Sequence, residues 1–399
     1  MKLDYDFKQY DFKLLFFIVV LNTIGIFIVR SATSAESFKD ALVVRQILGS
    51  FVGLAMCVAI SLFDYRKFCK YSIYIYIFSV ILLAGVKIYG TASGHGATRW
   101  ITVPVLGKLQ PAEFVKVSLI LFFADYLQKM QDEINTPHGL LLEGLYFAMP
   151  VGLVLIQPNL STTIIMTVMV AAMTFASPLK LRFIFVFLAI VFLTLILLFY
   201  LFSSGLYDKI PILQGYQVRR ILTFLNPSEN TRDYYQQMYS IMAIGSGMFR
   251  GKGLFNNSIF SVKNGNFLVE EDNDFIFAVI GEELGFRGSI IIIIIFLLII
   301  LECLIIAYRA KTLSGRLICV GVMAWIGFQT YTNIAVATGL FPNTGITLPF
   351  FSRGVSSLLS VYFGFGIVLT YNGERGRQYK WFNYLFYPVH ILILGMLRF

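Results

Sequence analysis

The feature that most constrains this chain is a series of ten apolar runs, at 14–29, 46–63, 71–86, 114–127, 145–156, 160–176, 183–202, 289–308, 317–337 and 355–371. A helix that crosses a bilayer needs about 20 mostly apolar residues. Several of these runs reach that length only by borrowing the polar residues at their ends. Of the 399 residues, 57% are hydrophobic and 14% charged, whereas a soluble domain carries about 25% charged residues. The expected fold class is therefore an all-α polytopic membrane protein of about ten transmembrane helices. The first run ends in Arg30-Ser31-Ala32-Thr33-Ser34-Ala35, which faintly imitates a cleavage site. Nine more runs follow, so it reads as an uncleaved first helix.

Orientation follows from the Lys and Arg residues of the short loops. With the N-terminus inside, every internal loop carries at least one cation: Lys2, Lys8 and Lys13; Arg66, Lys67 and Lys70; Lys129; Lys180 and Arg182; Arg309, Lys311 and Arg316; Arg375, Arg377 and Lys380. The outer side is basic as well, with Arg30, Arg99, Lys108, Arg219, Arg220, Arg250, Lys252, Lys263 and Arg353 among its residues. Long translocated loops are free of the charge rule, which is one reason for such a composition. The other is an outer face that focuses its field on an anionic substrate. Among ten spans that anion is expected to be a phosphate-bearing lipid rather than nucleic acid.

The cysteines point away from redox or metal chemistry. Cys57, Cys303 and Cys319 lie in apolar runs and Cys69 in an internal loop, so none reaches an oxidising side and no disulfide is expected. His95, His138 and His390 are scattered, and no Cys/His spacing suits a metal.

Two segments break the pattern of helix and short loop. Residues 203–273 form an outer stretch of about seventy residues between the seventh and eighth runs, with Tyr216, Phe224, Tyr234 and Phe267 spread through it. A loop so long and so rich in aromatics is expected to fold as a large extracytoplasmic lobe. Residues 339–357 are apolar yet punctuated by Gly and Pro, so they cannot form one straight helix. Broken backbone at membrane depth is tolerated only where protein or a wet cavity covers it. A re-entrant segment before the tenth helix is expected. Ser352, Ser356 and Ser357 are helix-capping types, and a helix start there would favour an anion.

Ionisable residues in apolar helices are the strongest functional pointers in such a chain. Glu113 and Lys116 open the fourth run three residues apart and so share a face, either as a self-satisfying ion pair or as a site. Six carboxylates fall within fourteen residues, at Glu270, Glu271, Asp272, Asp274, Glu282 and Glu283. They could be a solvated helix cap. Asp274, followed at once by an apolar run, would instead sit at the rim of a membrane pocket, where a carboxylate suits general-base work.

Asn273-Asp-Phe-Ile-Phe-Ala-Val-Ile-Gly-Glu-Glu-Leu-Gly-Phe286 closely resembles the signature of the SEDS family (shape, elongation, division, sporulation), which includes RodA, FtsW and SpoVE. Four further blocks resemble that family in its order. They are Gly96-Ala-Thr-Arg-Trp100 with Leu109-Gln-Pro-Ala-Glu-Phe-Val-Lys116; Gln157-Pro-Asn-Leu-Ser-Thr162; Phe224-Leu-Asn-Pro227 with Ala243-Ile-Gly-Ser-Gly247 and Gly251-Lys-Gly253; and Thr338-Gly-Leu-Phe-Pro342 through Ser357. The likeness covers 14–371, so a membrane domain at 1–371 is expected, followed by a basic linker and apolar tail at 372–399. That tail resembles the closing segment of TraX-type membrane proteins and reads as an interfacial helix or an eleventh span.

The resemblance implies a peptidoglycan glycosyltransferase that polymerises lipid II, carried on undecaprenyl pyrophosphate, on the outer face of a bacterial cytoplasmic membrane. It implies Asp274 as the catalytic aspartate and important polar residues at Arg99, Glu113 and Lys116; these three, with Lys252, Ser356 and Ser357, are expected to bind substrate. It further implies a divalent cation (Mg or Mn) with ligands unknown, and a class B penicillin-binding protein as partner. A lipid II flippase is the alternative, since ten helices with buried charges also suit transport. A mere scaffold would leave Glu113, Lys116 and Asp274 without a purpose. Three departures from the family's pattern stand out. Asn159 replaces an aspartate, Asp272-Asn273 replaces His-Thr, and Arg353 adds a cation to a Ser-Tyr-Gly-Gly-Ser-Ser block. Nothing in the motifs singles out Glu270 or Asp272 for a role.

Overall fold

The structure is a computed structural model, and it describes residues 10–33, 39–93, 97–103, 107–205, 215–227, 231–256, 261 and 272–371. The 372–399 tail with His390, and Glu270 and Glu271, lie outside the described residues.

Each of the ten apolar runs is a helix: α1 (Phe12–Ala32), α2 (Lys39–Ser61), α4 (Ser72–Tyr89), α5 (Pro111–Lys129), α6 (Pro137–Ile156), α7 (Leu160–Ala176), α8 (Leu181–Ser203), α11 (Ile276–Arg309), α12 (Leu313–Ala337) and α13 (Val355–Tyr371). Six of these, α1, α2, α6, α8, α11 and α12, are long and apolar enough to cross a membrane alone, and α4, α7 and α13 contain shorter apolar helices. The remaining one, α5, has the length but carries Glu113, Lys116, Asp125 and Lys129. It tolerates charge because it lies inside the bundle, buried on nearly every side. The chain is a multi-pass membrane protein.

Local chemistry sets where the helices start. Asp11 Oδ1 accepts from Leu14 N at 3.0 Å to cap α1, and Asn159 Oδ1 accepts from Thr162 N at 3.2 Å to cap α7. Thr136 caps α6 and Thr312 caps α12 in the same way, through Gly139 N and Gly315 N. Each cap satisfies an amide that the first turn leaves without an intrahelical partner. Pro111 and Pro137 stand in the first turns of α5 and α6, where the missing N–H costs nothing.

The core lies around α12, which packs against α11, α7, α5 and α13. Trp325 and Phe351 are fully buried there, and α13 in turn packs along α2. By contrast, α8 buries only Phe202, so its flanks are left to lipid.

Six elements among the described residues fall outside the ten runs. The helix α3 (Tyr65–Lys70) follows α2, capped by Asp64, and buries Cys69. Strands β1 (Thr91–Ser93), β2 (Ala97–Val103) and β3 (Gly107–Leu109) form a small antiparallel sheet in the order β1-β2-β3. Within 203–273, α9 (Gly215–Leu225) and α10 (Thr231–Ser246) are helical, and α10 packs on α11.

The eighth membrane helix begins earlier than its apolar run, at Ile276 rather than near Ser289. Gly281, Gly285, Gly288 and the two glutamates separate the short apolar stretch after Asp274 from the long run at 289–308 in sequence. In three dimensions 276–288 is a buried helical segment that bends at Gly285 (φ 65°, ψ −169°) into the long span. The bend is clasped by the 247–253 turn: Lys252 N and Gly253 N donate to the carbonyls of Glu282 and Glu283, at 2.9 Å each, and Phe286 N donates to Met248 O at 2.8 Å. The two backbones meet at glycine. A Cβ on Gly285 would lie 2.2 Å from Gly251 N, and one on Gly251 would lie 2.2 Å from Glu283 O.

Candidate functional site

Between α12 and α13 the backbone leaves the helix at 339–354, and its second half, 346–352, is mostly buried. Side chains of α12 and α7 take over the hydrogen bonds that a helix would have supplied, as a non-helical segment at this depth requires. Asn333 Nδ2 donates to Ile346 O at 2.7 Å, and Gln329 Nε2 donates to Thr347 O at 2.9 Å. Ser161 Oγ, in the first turn of α7, donates to Thr344 O. Left-handed φ values at Gly339, Gly345 and Phe350 turn the chain. The sequence expectation of a re-entrant segment before the tenth helix is realised here.

Asp274 stands one residue before the cap of α11, partly exposed, against this segment. A Cβ built on Gly345 would lie 3.2 Å from Asp274 Oδ2 and 3.9 Å from Arg220 Nη1. The aspartate and the guanidinium thus converge on one glycine of the re-entrant segment. Arg220 comes from α9 and is exposed, and sequence reasoning gave it no role beyond its share of the outer charge. Its fifty-four-residue separation from Asp274 hides their proximity; the available signal was the adjacent pair Arg219-Arg220 in an otherwise apolar helix.

The backbone leading to Asp274 is pinned at three successive carbonyls. Asp272 O accepts from Arg353 N at 2.9 Å, Asn273 O from Ser352 Oγ at 2.6 Å, and Asp274 O from Asn333 Nδ2 at 2.9 Å. The Asp272 carboxylate also meets Arg353 Nη1 at 2.6 Å. Two departures from the family pattern, separate in the sequence, are therefore one ion pair.

Glu113 and Lys116 do pair, and the pair is closed. Lys116 is 0% exposed; its Nζ donates to both Glu113 oxygens at 3.0 Å and to Gln329 Oε1 at 3.3 Å. It also sits 4.5 Å above the Trp325 ring, a cation–π contact worth most when desolvated. Ser360 Oγ donates to Glu113 Oε2 at 3.3 Å. Both residues were expected to meet substrate. In this structure they face each other, and the link from Lys116 to the re-entrant segment runs through Gln329 to Thr347.

The other expected site residues are placed as follows. Arg99, on β2, donates through Nε to Gln157 O at 3.1 Å and through Nη2 to Pro158 O, so it holds the turn ahead of α7. Asn159, where a charge is lost relative to the family, serves as the cap of α7. Lys252 pairs with the buried Glu282 at 2.6 Å, and Glu283 accepts from Ser31 Oγ at 2.5 Å. Ser356 is buried and accepts from Gln110 N at 3.1 Å, which fixes the start of α5. Ser357 Oγ lies 3.5 Å from Thr347 Oγ1. Arg99, Glu113, Lys116 and Ser357 all reach the re-entrant segment or its supports, whereas Lys252 belongs to the clasp at the α11 bend. Among the described residues, no group of three or more His, Cys, Asp or Glu could hold a metal.

Described membrane helices with buried charges, packed around a broken segment against which the Asp274 carboxylate and the Arg220 guanidinium converge, define a polytopic membrane protein. The profile of the family described as cell cycle protein, which groups FtsW, RodA and SpoVE, matches residues 12–376. The chain belongs to that family. It is 33% identical over 377 residues to the probable peptidoglycan glycosyltransferase FtsW of Trichlorobacter lovleyi, covering 91% of this chain and 93% of that one. It is also 33% identical to the same-named protein of Geobacter metallireducens, over 92% of this chain and 95% of the other. Among solved structures it is similar to a chain of a peptidoglycan synthase complex that coordinates polymerization and crosslinking, with a TM-score of 0.75, 26% identity, and 94% and 100% of the two chains covered. It is likewise similar to the rod shape determining protein RodA of Thermus thermophilus, with a TM-score of 0.66, 25% identity, and 92% and 98% covered.

Proposed function

We propose that this protein is a peptidoglycan glycosyltransferase that joins lipid II units into glycan strands on the outer face of a bacterial cytoplasmic membrane. The observation that carries the reading is the partly exposed Asp274 carboxylate, held on a pinned backbone beside the Arg220 guanidinium at the edge of a membrane bundle. Joining two sugars requires an acceptor hydroxyl to attack an anomeric carbon whose leaving group is a lipid pyrophosphate. Asp274 takes the hydroxyl proton, a contribution of about 10²–10⁴-fold in rate for a positioned base. Arg220 offers a planar fork suited to phosphate oxygens, and Gly345 leaves room for both groups.

The lipid carrier explains why such a site stands at the end of membrane helices, and the basic outer side suits its charge. A divalent cation belongs to the proposal as a companion of the pyrophosphate. Such an ion keeps several waters and needs only one or two carboxylates when phosphates supply the rest, which suits a chain whose described residues offer no three-residue cage. When bound, it would neutralise charge on the leaving group. The proposed partner is a class B penicillin-binding protein that crosslinks the product.

The test is purified protein with labelled lipid II, scored separately for glycan polymer and for lipid translocation. Polymer that is lost in Asp274→Asn, with lipid II binding retained, is the expected result. Translocation without polymer would replace the enzyme by a transporter. Sidedness is checked by impermeant thiol reagents. Cysteines replacing the exposed Arg219 and Arg250 should react from outside, and those replacing Lys67, Lys180 and Lys311 should not. Background is low, because all four native cysteines are buried and burial pushes the Cys69 thiol up to about 12, where little thiolate exists at neutral pH.

A further inference from the structure

The re-entrant segment touches the Asp274 region at two points. At one, Gly345 lies against the Asp274 carboxylate itself. At the other, eight residues on, Arg353 binds Asp272 twice, through its backbone N–H to the Asp272 carbonyl and through its guanidinium to the Asp272 carboxylate, at 2.6 Å. Between them Ser352 Oγ donates to Asn273 O at 2.6 Å while accepting from Leu348 N at 2.7 Å.

The two backbone contacts carry no information about side-chain charge; the ion pair does. The Asp272 side chain is 7% exposed and that of Arg353 39%. The carboxylate thus depends on this cation for compensation, while the cation could be solvated without it. A buried carboxylate whose cation is removed must find another partner or move. Such a movement strains the 272–274 backbone, whose three carbonyls are hydrogen-bonded to Arg353, Ser352 and Asn333.

We propose that Asp272 and Arg353 form a clasp that sets the distance between Asp274 and the re-entrant segment, which makes both of them positioning residues for the reaction. The kinetic part of this inference rests on the reading of Asp274 as the base. The clasp itself does not. Neither residue contacts the reacting atoms; the pair acts through the carbonyls of 272–274 and through Gly345. A general base displaced by about 1 Å loses on the order of 10²-fold in rate, so a partial opening shows in turnover before it shows in binding.

The experiment is a double-mutant cycle on the full-length protein with Asp272→Asn, Arg353→Gln and the double variant, plus Arg353→Lys. Lipid II polymerisation and hydrogen exchange of the 345–353 amides are both measured. Each neutral single variant is expected to lower kcat by about 10- to 100-fold, with KM for lipid II changed less than about twofold. The double variant should be no worse than the poorer single one, because both remove the same interaction, and Arg353→Lys should recover most of the rate. Exchange should quicken most in Arg353→Gln, which strands the buried carboxylate, and less in Asp272→Asn and the double. Additive losses in the cycle, a risen KM with kcat intact, or unchanged exchange in both singles would each overturn the clasp. A wild-type protein that fails to polymerise lipid II defeats the proposed function instead, and the exchange cycle then decides the clasp alone.

Discussion

Glu113 and Asp274 both lie near the re-entrant segment, in surroundings that could hardly differ more. Glu113 is buried with its own cation three residues away, and that cation is sealed under an indole ring. Asp274 is partly exposed, with a guanidinium beside it on a separate, exposed helix. A buried, fully partnered charge pair contributes shape, since its desolvation cost is offset only while its geometry holds. A rim carboxylate has solvent access and so can exchange a proton with a ligand. On the proposed function, the difference separates a residue that builds the site from one that works in it, although both are acidic and near the same segment.

The sharpest way to break this contrast is to neutralise each side and read rate and stability apart. Asp274→Asn is expected to lower polymerisation by about 10²–10⁴-fold with little change in thermal unfolding in detergent. Lys116→Met should do the reverse first, destabilising the fold by about 3–5 kcal/mol because it strands a buried carboxylate. Its loss of activity should follow its loss of folded protein. If Lys116→Met is fully stable but inactive, the closed pair is itself part of the chemistry and the contrast fails.

Exchanging Glu113→Lys with Lys116→Glu sharpens the point. The swap is expected to stay inactive, because a carboxylate at position 116 would lie over the face of Trp325 and beside Gln329 Oε1, both of which favour a cation. Full recovery would mean that only the pair's neutrality matters. Gly345→Ala comes next in size. The glycine has φ 71° and its new methyl would press on Asp274 Oδ2 at 3.2 Å. A cost of about 1–2 kcal/mol in stability should accompany a fall in kcat of about tenfold, in line with the steep dependence of rate on position. The smallest effect belongs to Lys129→Gln. That residue pairs with Asp125 at 2.6 Å on the surface, and exposed pairs contribute less than about 1 kcal/mol. Its polymerisation rate should be unchanged.

The spans were legible because bilayer thickness imposes a length and a polarity that no soluble element shares. The re-entrant segment was legible because Gly and Pro inside an apolar stretch are incompatible with a straight span. What the sequence hid is long-range or short-lived in pattern. Two of the strands within 91–109 are only three residues long, too brief for an alternation to declare itself. The start of α11 was obscured by Glu282 and Glu283, whose partners Lys252 and Ser31 lie 30 and 252 positions away. Arg220 was marked locally only by its neighbour Arg219, which says nothing of its place beside Asp274. Asp272 and Arg353 each looked like an isolated oddity, and their meaning exists only as a pair. Arg99 and Ser356 stood out as motif members, but their hydrogen bonds to the 157–158 turn and to Gln110 required the fold.

The glycine contact at the bend of α11 bears on how this chain can change over generations. Gly251 and Gly285 each forbid a side chain on themselves, both through left-handed backbone and through the other strand's atoms 2.2 Å away. Compensation, the usual route by which two touching positions drift together, is closed to them. No residue is smaller than glycine, so neither position can shrink to make room for growth at the other. The crossing is an evolutionary dead point: those two residues stay as they are, because no change at one relieves a side chain at the other.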